Sequence, residues 1–162
     1  MNPTPESTSG NSNGNGNGNS AGGFDLTQFY QVFFEEAGEN LASMEQLLLG
    51  LDVAAPEDET LHAIFRCAHS IKGGAATFGF EDLAALTHTM ETLLDKLRRH
   101  EMNPSAAMVD TLLQAGDALQ DMLQRRQDGD TTPVDVSGIA AQLGGFVNGE
   151  SIAPPVAAPA SA

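Results

Sequence analysis

The sequence predicts an all-α fold, an antiparallel four-helix bundle with a short fifth helix packed against it. Between about Phe24 and Val147 apolar residues recur every three or four positions, the period of a helix with one buried face. No part of the sequence has the alternating pattern of a half-buried strand. The connections between the periodic segments are short, and short connections make successive helices antiparallel neighbours.

The first two helices have clear apolar faces. In the first helix this face comprises Leu26, Phe29, Phe33, Ala37, Leu41, Met44, Leu48 and Leu51. Asp25 precedes it and Gln28 follows three residues later, a spacing that resembles a capping box. The second helix has apolar residues from Leu61 to Phe78. Pro56 lies where a first helical turn tolerates proline, and Gly79 lies where a left-handed residue ends a helix.

Three further helices follow. The third begins directly after Gly79 and has apolar residues from Leu83 to Leu97. Asn103 and Pro104 predict the N-cap and first position of the fourth helix, which stops near residues 128–129. A shorter apolar segment over residues 136–147 predicts the fifth helix.

The two ends of the chain differ in composition from the predicted bundle. Residues 1–23 are dominated by Asn, Gly and Ser, which bury too little apolar surface to offset the entropy of ordering, so we expect a disordered leader. Residues 148–162 are rich in Ala and Pro and predict a linker, which suggests a module cut from a longer protein. The bundle itself is predicted to occupy residues 24–147.

Charge and cysteine content exclude several classes of partner. Twenty-two acidic residues against seven basic ones give a net charge of −15, which argues against binding nucleic acid or an anionic membrane surface. No run approaches the ~18 apolar residues of a membrane span, and the N-terminus lacks the features of a secretory signal. The single cysteine, Cys67, cannot form an internal disulfide. We therefore expect a cytoplasmic protein with no direct membrane insertion.

A second stripe runs along the second helix beside its buried face. Its members are His62, Arg66, His69, Gly73 and Ala76. Side chains lean toward the N-terminus of their helix, so the residue that would overhang His69 is the one at 73, and it is glycine. Gly74 is expected to add clearance for partner proteins. Lys72 is expected to bring its ammonium group beside the imidazole.

An exposed histidine is a better nucleophile when a carboxylate accepts a hydrogen bond from Nδ1–H and leaves the Nε2 lone pair outward. The third helix offers His88 and Glu91, one turn apart on one face. His69 lies ten residues before Gly79 and Glu91 twelve after it, so an antiparallel pair brings them to nearly the same level. We therefore expect Glu91 to orient the ring of His69.

Two stretches of the sequence, AHSIKGGAATFGF and LTHTMETLLDKLRRHEM, carry a resemblance to a known family. They closely resemble the histidine-containing phosphotransfer (HPt) domain at the N-terminus of chemotaxis sensor kinases of the CheA type. The family pattern His-x-x-Lys-Gly-x-x-x-x-x-Gly is met by His69, Lys72, Gly73 and Gly79, and the resemblance covers roughly residues 26–128. The Asn/Gly-rich leader departs from the family, whose members usually begin close to the first helix.

The resemblance implies a role for each residue of the site. His69 would accept the γ-phosphoryl group of ATP on Nε2, and Glu91 would hold the ring. Lys72 would stabilise the phosphoryl group, and His88 would support the site. The resemblance further implies that the phosphoryl group passes to an aspartate of a CheY-like response regulator.

We expect no ATP site within this chain. It lacks a phosphate-binding Gly-x-x-x-x-Gly-Lys-Ser/Thr loop, and Gly73-Gly74 lie inside a predicted helix and not after a strand. We therefore expect a phosphoryl carrier without a cofactor. ATP and magnesium would be used by a partner, the catalytic domain of a histidine kinase in the same parent or in a separate protein.

Two alternative functions stay open at this stage. One is a structural or adaptor bundle in which His69 is incidental. The other is a metal site built from His69, His88 and Glu91, although the apolar faces carry none of the inward-facing acids that such bundles use and Lys72 would repel a cation. Arg66, one turn before His69, is either a surface charge or a docking contact.

Overall fold

A computed structural model of the chain describes residues 26–149. Five helices and no strand are found there: α1 Leu26–Leu49, α2 Asp58–Thr77, α3 Glu81–Arg98, α4 Ala106–Gln127 and α5 Ser137–Val147. The predicted all-α fold with a short fifth helix is thereby confirmed. The predicted leader, the cap at Asp25 and all but the first two residues of the predicted linker lie outside the described residues.

The first four helices form a closed ring of antiparallel neighbours. α1 packs against α2 and α4, α3 packs against the same two helices, and α5 packs against α3 and α4. The pairing of opposite ends shows the directions: Arg126 at the end of α4 binds Asp82 at the start of α3 at 2.7 Å. Phe33 near the start of α1 contacts Phe78, which follows α2.

The apolar faces meet in one core that runs the length of the bundle. Leucines, methionines, isoleucines and alanines of α1 to α4 fill it together with Phe33 and Cys67, and Leu143 and Phe146 of α5 pack against them. Phe29 belongs to the predicted apolar face of α1 but is 45% exposed. Its neighbour Tyr30 is the ring that packs on the aromatic residues after α2, so the regular core stripe of α1 begins at Phe33.

The helix ends agree with the sequence in part. Gly79 has a positive φ angle of 77°, as predicted, and Gly129, near the predicted end of α4, has one of 78°. The predicted start of α4 at Asn103 and Pro104 is wrong by two residues. Ser105 is the N-cap, and its side chain accepts a hydrogen bond of 3.2 Å from the backbone N–H of Met108. Both Asn and Ser are good N-caps, so the residue types alone could not show which of the two caps α4.

The start of α2 is also later than predicted. Glu57 is its N-cap, and Pro56 therefore precedes the helix instead of lying in its first turn. The fixed φ of proline suits both positions, which explains why the sequence could not separate them. The shift does not change the apolar face of α2.

Gly74 faces the interior of the bundle and not a partner. A Cβ added there would lie 2.7 Å from Cδ1 and Cε1 of Phe33, so the missing side chain is what lets the Phe33 ring pack onto the backbone of α2. The predicted role of Gly74 as clearance for partners is therefore corrected. A Cβ on Gly73, by contrast, would project into open space.

Candidate functional site

The site lies between two stripes that face each other across the α2–α3 contact. The α2 stripe consists of Phe65, His69 and Lys72, and the α3 stripe consists of Glu91, Asp95 and Arg98. Both stripes have spacings of three and four residues, so each occupies one side of its helix. Because α2 and α3 are antiparallel, the end of one stripe meets the beginning of the other.

Glu91 lies at the predicted level opposite His69. Its Oε2 is 2.5 Å from Nδ1 of His69, and its side chain is only 11% exposed whereas that of His69 is 62% exposed. An ionised carboxylate can only accept hydrogen bonds, so the ring proton must lie on Nδ1. The Nε2 lone pair is then left available on an exposed ring, the arrangement required for a nucleophile.

Lys72 binds the second oxygen of the same carboxylate. Its Nζ lies 2.7 Å from Oε1 of Glu91. The sequence predicted that this ammonium group lies beside the imidazole, and the structure places it instead on the carboxylate that holds the imidazole. Whether Lys72 also contacts a phosphoryl group stays a prediction.

The environment of Glu91 favours its ionised form. Burial on its own would raise the pKa of this carboxyl group, but the hydrogen bonds from Lys72 and His69 and the positive charge of Lys72 outweigh burial and hold the pKa below its ordinary value. At neutral pH Glu91 is therefore a carboxylate. Its charge is available to stabilise positive charge that develops on the ring of His69.

The remaining predicted residues lie around this centre. His88 is 65% exposed, and its Nδ1 is 3.9 Å from Oε1 of Glu91, beyond hydrogen-bond length. Arg66 is exposed one turn before His69 and makes no ion pair with any residue in 26–149. Gly73 leaves the side of His69 toward the C-terminus of α2 uncovered.

Sequence reasoning missed two residues of the site. Phe65 stacks on the ring of His69 with the centroids 5.8 Å apart and the planes at 11°, and the guanidinium carbon of Arg98 lies 3.9 Å from the centroid of Phe65. A phenylalanine at helical spacing is usually a core residue, and an arginine in the last turn of a helix is favoured there by the helix dipole, so neither residue type indicates a site. The position of Phe65, four residues before His69 on the same side of the helix, was the available signal.

His100 stays apart from the site. His100 lies on the connection after α3, where its Nε2 is 2.7 Å from Oδ1 of Asp58. Within residues 26–149 no three His, Cys, Asp or Glu side chains are placed to hold a metal ion together. Both oxygens of Glu91 are engaged, by His69 and by Lys72.

Comparison with known proteins decides which family has this geometry. The family model described as "Hpt domain" matches residues 28–129, which is more than half of the chain. The chain belongs to the Hpt domain family. Histidine-containing phosphotransfer, the activity that the family is named for, matches a site built around one exposed histidine.

Curated relatives of this Hpt domain are chemotaxis proteins named CheA. The chain is 56% identical over 99 residues to CheA of Klebsiella aerogenes and 52% identical over 99 residues to CheA of Salmonella typhimurium. Each alignment covers 61% of this chain and 15% of the relative. The chain therefore spans only a small part of the length of these relatives.

Solved structures share the fold. The CheA phosphotransferase domain from Thermotoga maritima has a TM-score of 0.59 at 30% identity, and the match covers 63% of this chain and 97% of that domain. The phosphorylated P1 domain of CheA3 in complex with CheY6 from R. sphaeroides has a TM-score of 0.67 at 23% identity, covering 76% and 98%. None of the helices in the described part of this Hpt chain is long and apolar enough to span a membrane.

Proposed function

We propose that this Hpt domain is a phosphorelay module in which His69 is the phosphoryl carrier. His69 accepts the γ-phosphoryl group of ATP from the catalytic domain of a histidine kinase. It then passes the group to an aspartate of a CheY-like response regulator. The observation that carries this proposal is an exposed imidazole whose Nδ1 is bound to a buried carboxylate, Glu91.

The first transfer uses Nε2 of His69 as the nucleophile. Its lone pair attacks the γ-phosphorus, a P–N bond forms, and the bond to the bridging oxygen breaks so that ADP leaves. Positive charge develops on the ring in this step, and the Glu91 carboxylate at Nδ1 stabilises it. ATP and magnesium are held by the kinase domain and supply the phosphoryl group there.

In the second transfer the imidazole of His69 is the leaving group and no longer the nucleophile. A carboxylate oxygen of the receiver attacks the phosphorus, the P–N bond breaks, and its electron pair returns to Nε2. The product is an acyl phosphate on the receiver and a free imidazole on His69, still protonated at Nδ1. No group of this chain besides the imidazole needs to change its covalent bonds, which suits a rigid bundle.

The partners follow from this chemistry and from the relatives. One solved neighbour is described as a phosphorylated P1 domain in complex with CheY6. We propose that a receiver of the same kind docks on the exposed α2–α3 face. Arg66 is an unpaired cation there, since among residues 26–149 it has no acidic partner, and we assign it to docking. His88 supports the rim of the site, and Lys72 acts through Glu91 and at the phosphoryl group.

The cellular setting is proposed on the same grounds. The only cysteine, Cys67, is a buried free thiol, as expected in a reducing compartment. Receiver domains and kinase catalytic domains that exchange phosphoryl groups must meet this domain in one compartment. We therefore place it in the cytoplasm, in chemotaxis-type two-component signalling.

The substitution His69→Gln tests the proposal. Incubation with ATP and a CheA kinase domain is expected to give acid-labile, base-stable labelling of the wild-type chain and none of the variant. Circular dichroism should show the same helix content and melting temperature for both, because His69 is exposed. Labelling that persists in the folded variant would rule out His69 as the carrier. A wild-type chain that takes up no label would favour an adaptor bundle.

A further inference from the structure

We propose that Phe65 is a positioning residue for His69, and that Arg98 and Asp95 hold Phe65 in place. This inference rests on the proposed role of His69 as phosphoryl carrier. It adds a second restraint on the imidazole, one that acts on the face of the ring, whereas Glu91 acts on its edge.

The contact between the two rings follows from their places on α2. His69 lies four residues after Phe65, and its side chain leans back over the preceding turn. The centroids are 5.8 Å apart and the ring planes differ by 11°, which is an offset parallel stack. His69 is nevertheless 62% exposed, so the stack covers part of one face only.

Phe65 is in turn held by a charged pair on α3. The guanidinium carbon of Arg98 lies 3.9 Å from the Phe65 ring centroid, a cation–π distance. Both Nε and Nη2 of Arg98 bind Oδ1 of Asp95, at 2.8 and 2.7 Å. Because the fork of Arg98 is fixed by Asp95 on the same helix, the Phe65 ring has a defined surface to pack on.

One hydrogen bond does not fix the orientation of the imidazole ring, so a second restraint is needed. The bond from Nδ1 to Glu91 fixes one point on the edge of the imidazole, but the ring can still tilt about that bond. A parallel neighbour restricts the tilt and so fixes the direction of the Nε2 lone pair. In-line attack on phosphorus depends on this direction. The opposite side, toward Gly73, remains open for the phosphoryl donor.

The test compares two phosphoryl donors on the same variants. Phosphoramidate, a small donor that loses ammonia on transfer, needs no docking surface, whereas a CheA kinase domain with ATP does. We expect Phe65→Leu to lower the initial labelling rate at His69 about three- to ten-fold with both donors. Phe65→Tyr keeps the ring face and should restore the rate with both. Phe34→Leu is the matched control, because Phe34 is a half-buried aromatic residue that packs against Phe80 and not against His69.

The possible outcomes distinguish a failure of the inference about Phe65 from a failure of the proposed function of His69. If the wild-type chain is labelled by neither donor, the proposed function fails. If the wild type is labelled and Phe65→Leu matches it with both donors, Phe65 does not position His69. A loss confined to the kinase domain would make Phe65 a docking contact, and a Phe65→Tyr variant as slow as Phe65→Leu would show that the ring face is irrelevant. Both results overturn the inference.

A second variant keeps the test decisive if Phe65→Leu does not fold. Arg98→Met removes the guanidinium group but leaves Phe65 and most of the aliphatic stem. We expect labelling by phosphoramidate to fall about two-fold, because a partly exposed cation–π contact is weak. An unchanged rate would show that Arg98 does not support the stack.

Discussion

Replacing Glu91 with glutamine is expected to slow phosphoryl uptake at His69 by about 10- to 100-fold while the bundle stays folded. The amide oxygen can still accept a hydrogen bond, but the negative charge is gone. The Nδ1–H tautomer then loses its main support, and positive charge that develops on the ring meets no carboxylate. Lys72 also loses the only acid it is paired with among the described residues.

The effect is measured as the initial rate of labelling by a CheA kinase domain and ATP at saturating kinase-domain concentration. Nuclear magnetic resonance of the ring nitrogens should show a larger share of the Nε2–H tautomer in Glu91→Gln. Glu81→Gln is the matched control, since Glu81 lies in the first turn of the same helix and is exposed. A Glu91→Gln variant that is labelled as fast as wild type, with the Nδ1–H tautomer unchanged, would refute the orienting role.

Alanine at Gly73 and at Gly74 is expected to change stability in opposite directions. Both glycines lie inside α2, where alanine improves helix propensity by about 1 kcal/mol. At Gly73 the new methyl group projects into open space, so that gain should be observed. At Gly74 it would lie 2.7 Å from two carbons of the buried Phe33 ring, and overpacking of this kind costs about 1–3 kcal/mol. The two variants should differ by about 2 kcal/mol in the free energy of unfolding.

Urea denaturation followed by circular dichroism measures this difference. Combining Gly74→Ala with Phe33→Leu should make the Gly74 substitution less costly, because the smaller side chain leaves room for the methyl group. If Gly73→Ala and Gly74→Ala are equally stable, the close approach of Phe33 to α2 is not what requires Gly74.

The variant Gly73→Leu is expected to remain folded but to lose labelling at His69, since the leucine side chain leans toward His69.

The sequence predicted the residues of this site whose positions follow from helix register, and it did not predict those whose roles depend on contacts with another helix. Glu91 was found by counting residues on both sides of Gly79, because antiparallel helices joined by a tight turn keep a fixed register. Asn103 and Ser105 are both good N-cap residues and lie two positions apart, so the sequence could not show which of them caps α4. Gly74 was misassigned because its space is filled by Phe33, which is distant in sequence. Helical periodicity gives the face of a helix but not which side chain of another helix lies against it.

Phe65 and Arg98 show a second limit of sequence reasoning. Each has a common structural explanation, a core aromatic residue and a cation at a helix C-terminus. Their shared role follows only when the α2–α3 register places Arg98 over the Phe65 ring. Lys72 shows the same limit, since the side chain was predicted to lie near the imidazole and lies on Glu91. The pairwise distances between α2 and α3, not residue types, define the site.

The most direct test of the central claim is to determine which ring nitrogen carries the phosphoryl group. The chain is labelled with ¹⁵N, phosphorylated by a CheA kinase domain and ATP, and examined for coupling between phosphorus and the nitrogens of His69. Phosphorus is expected to couple to Nε2, with Nδ1 still protonated and hydrogen-bonded to Glu91. Coupling to Nδ1, or a phosphoryl group on any residue other than His69, would contradict the account.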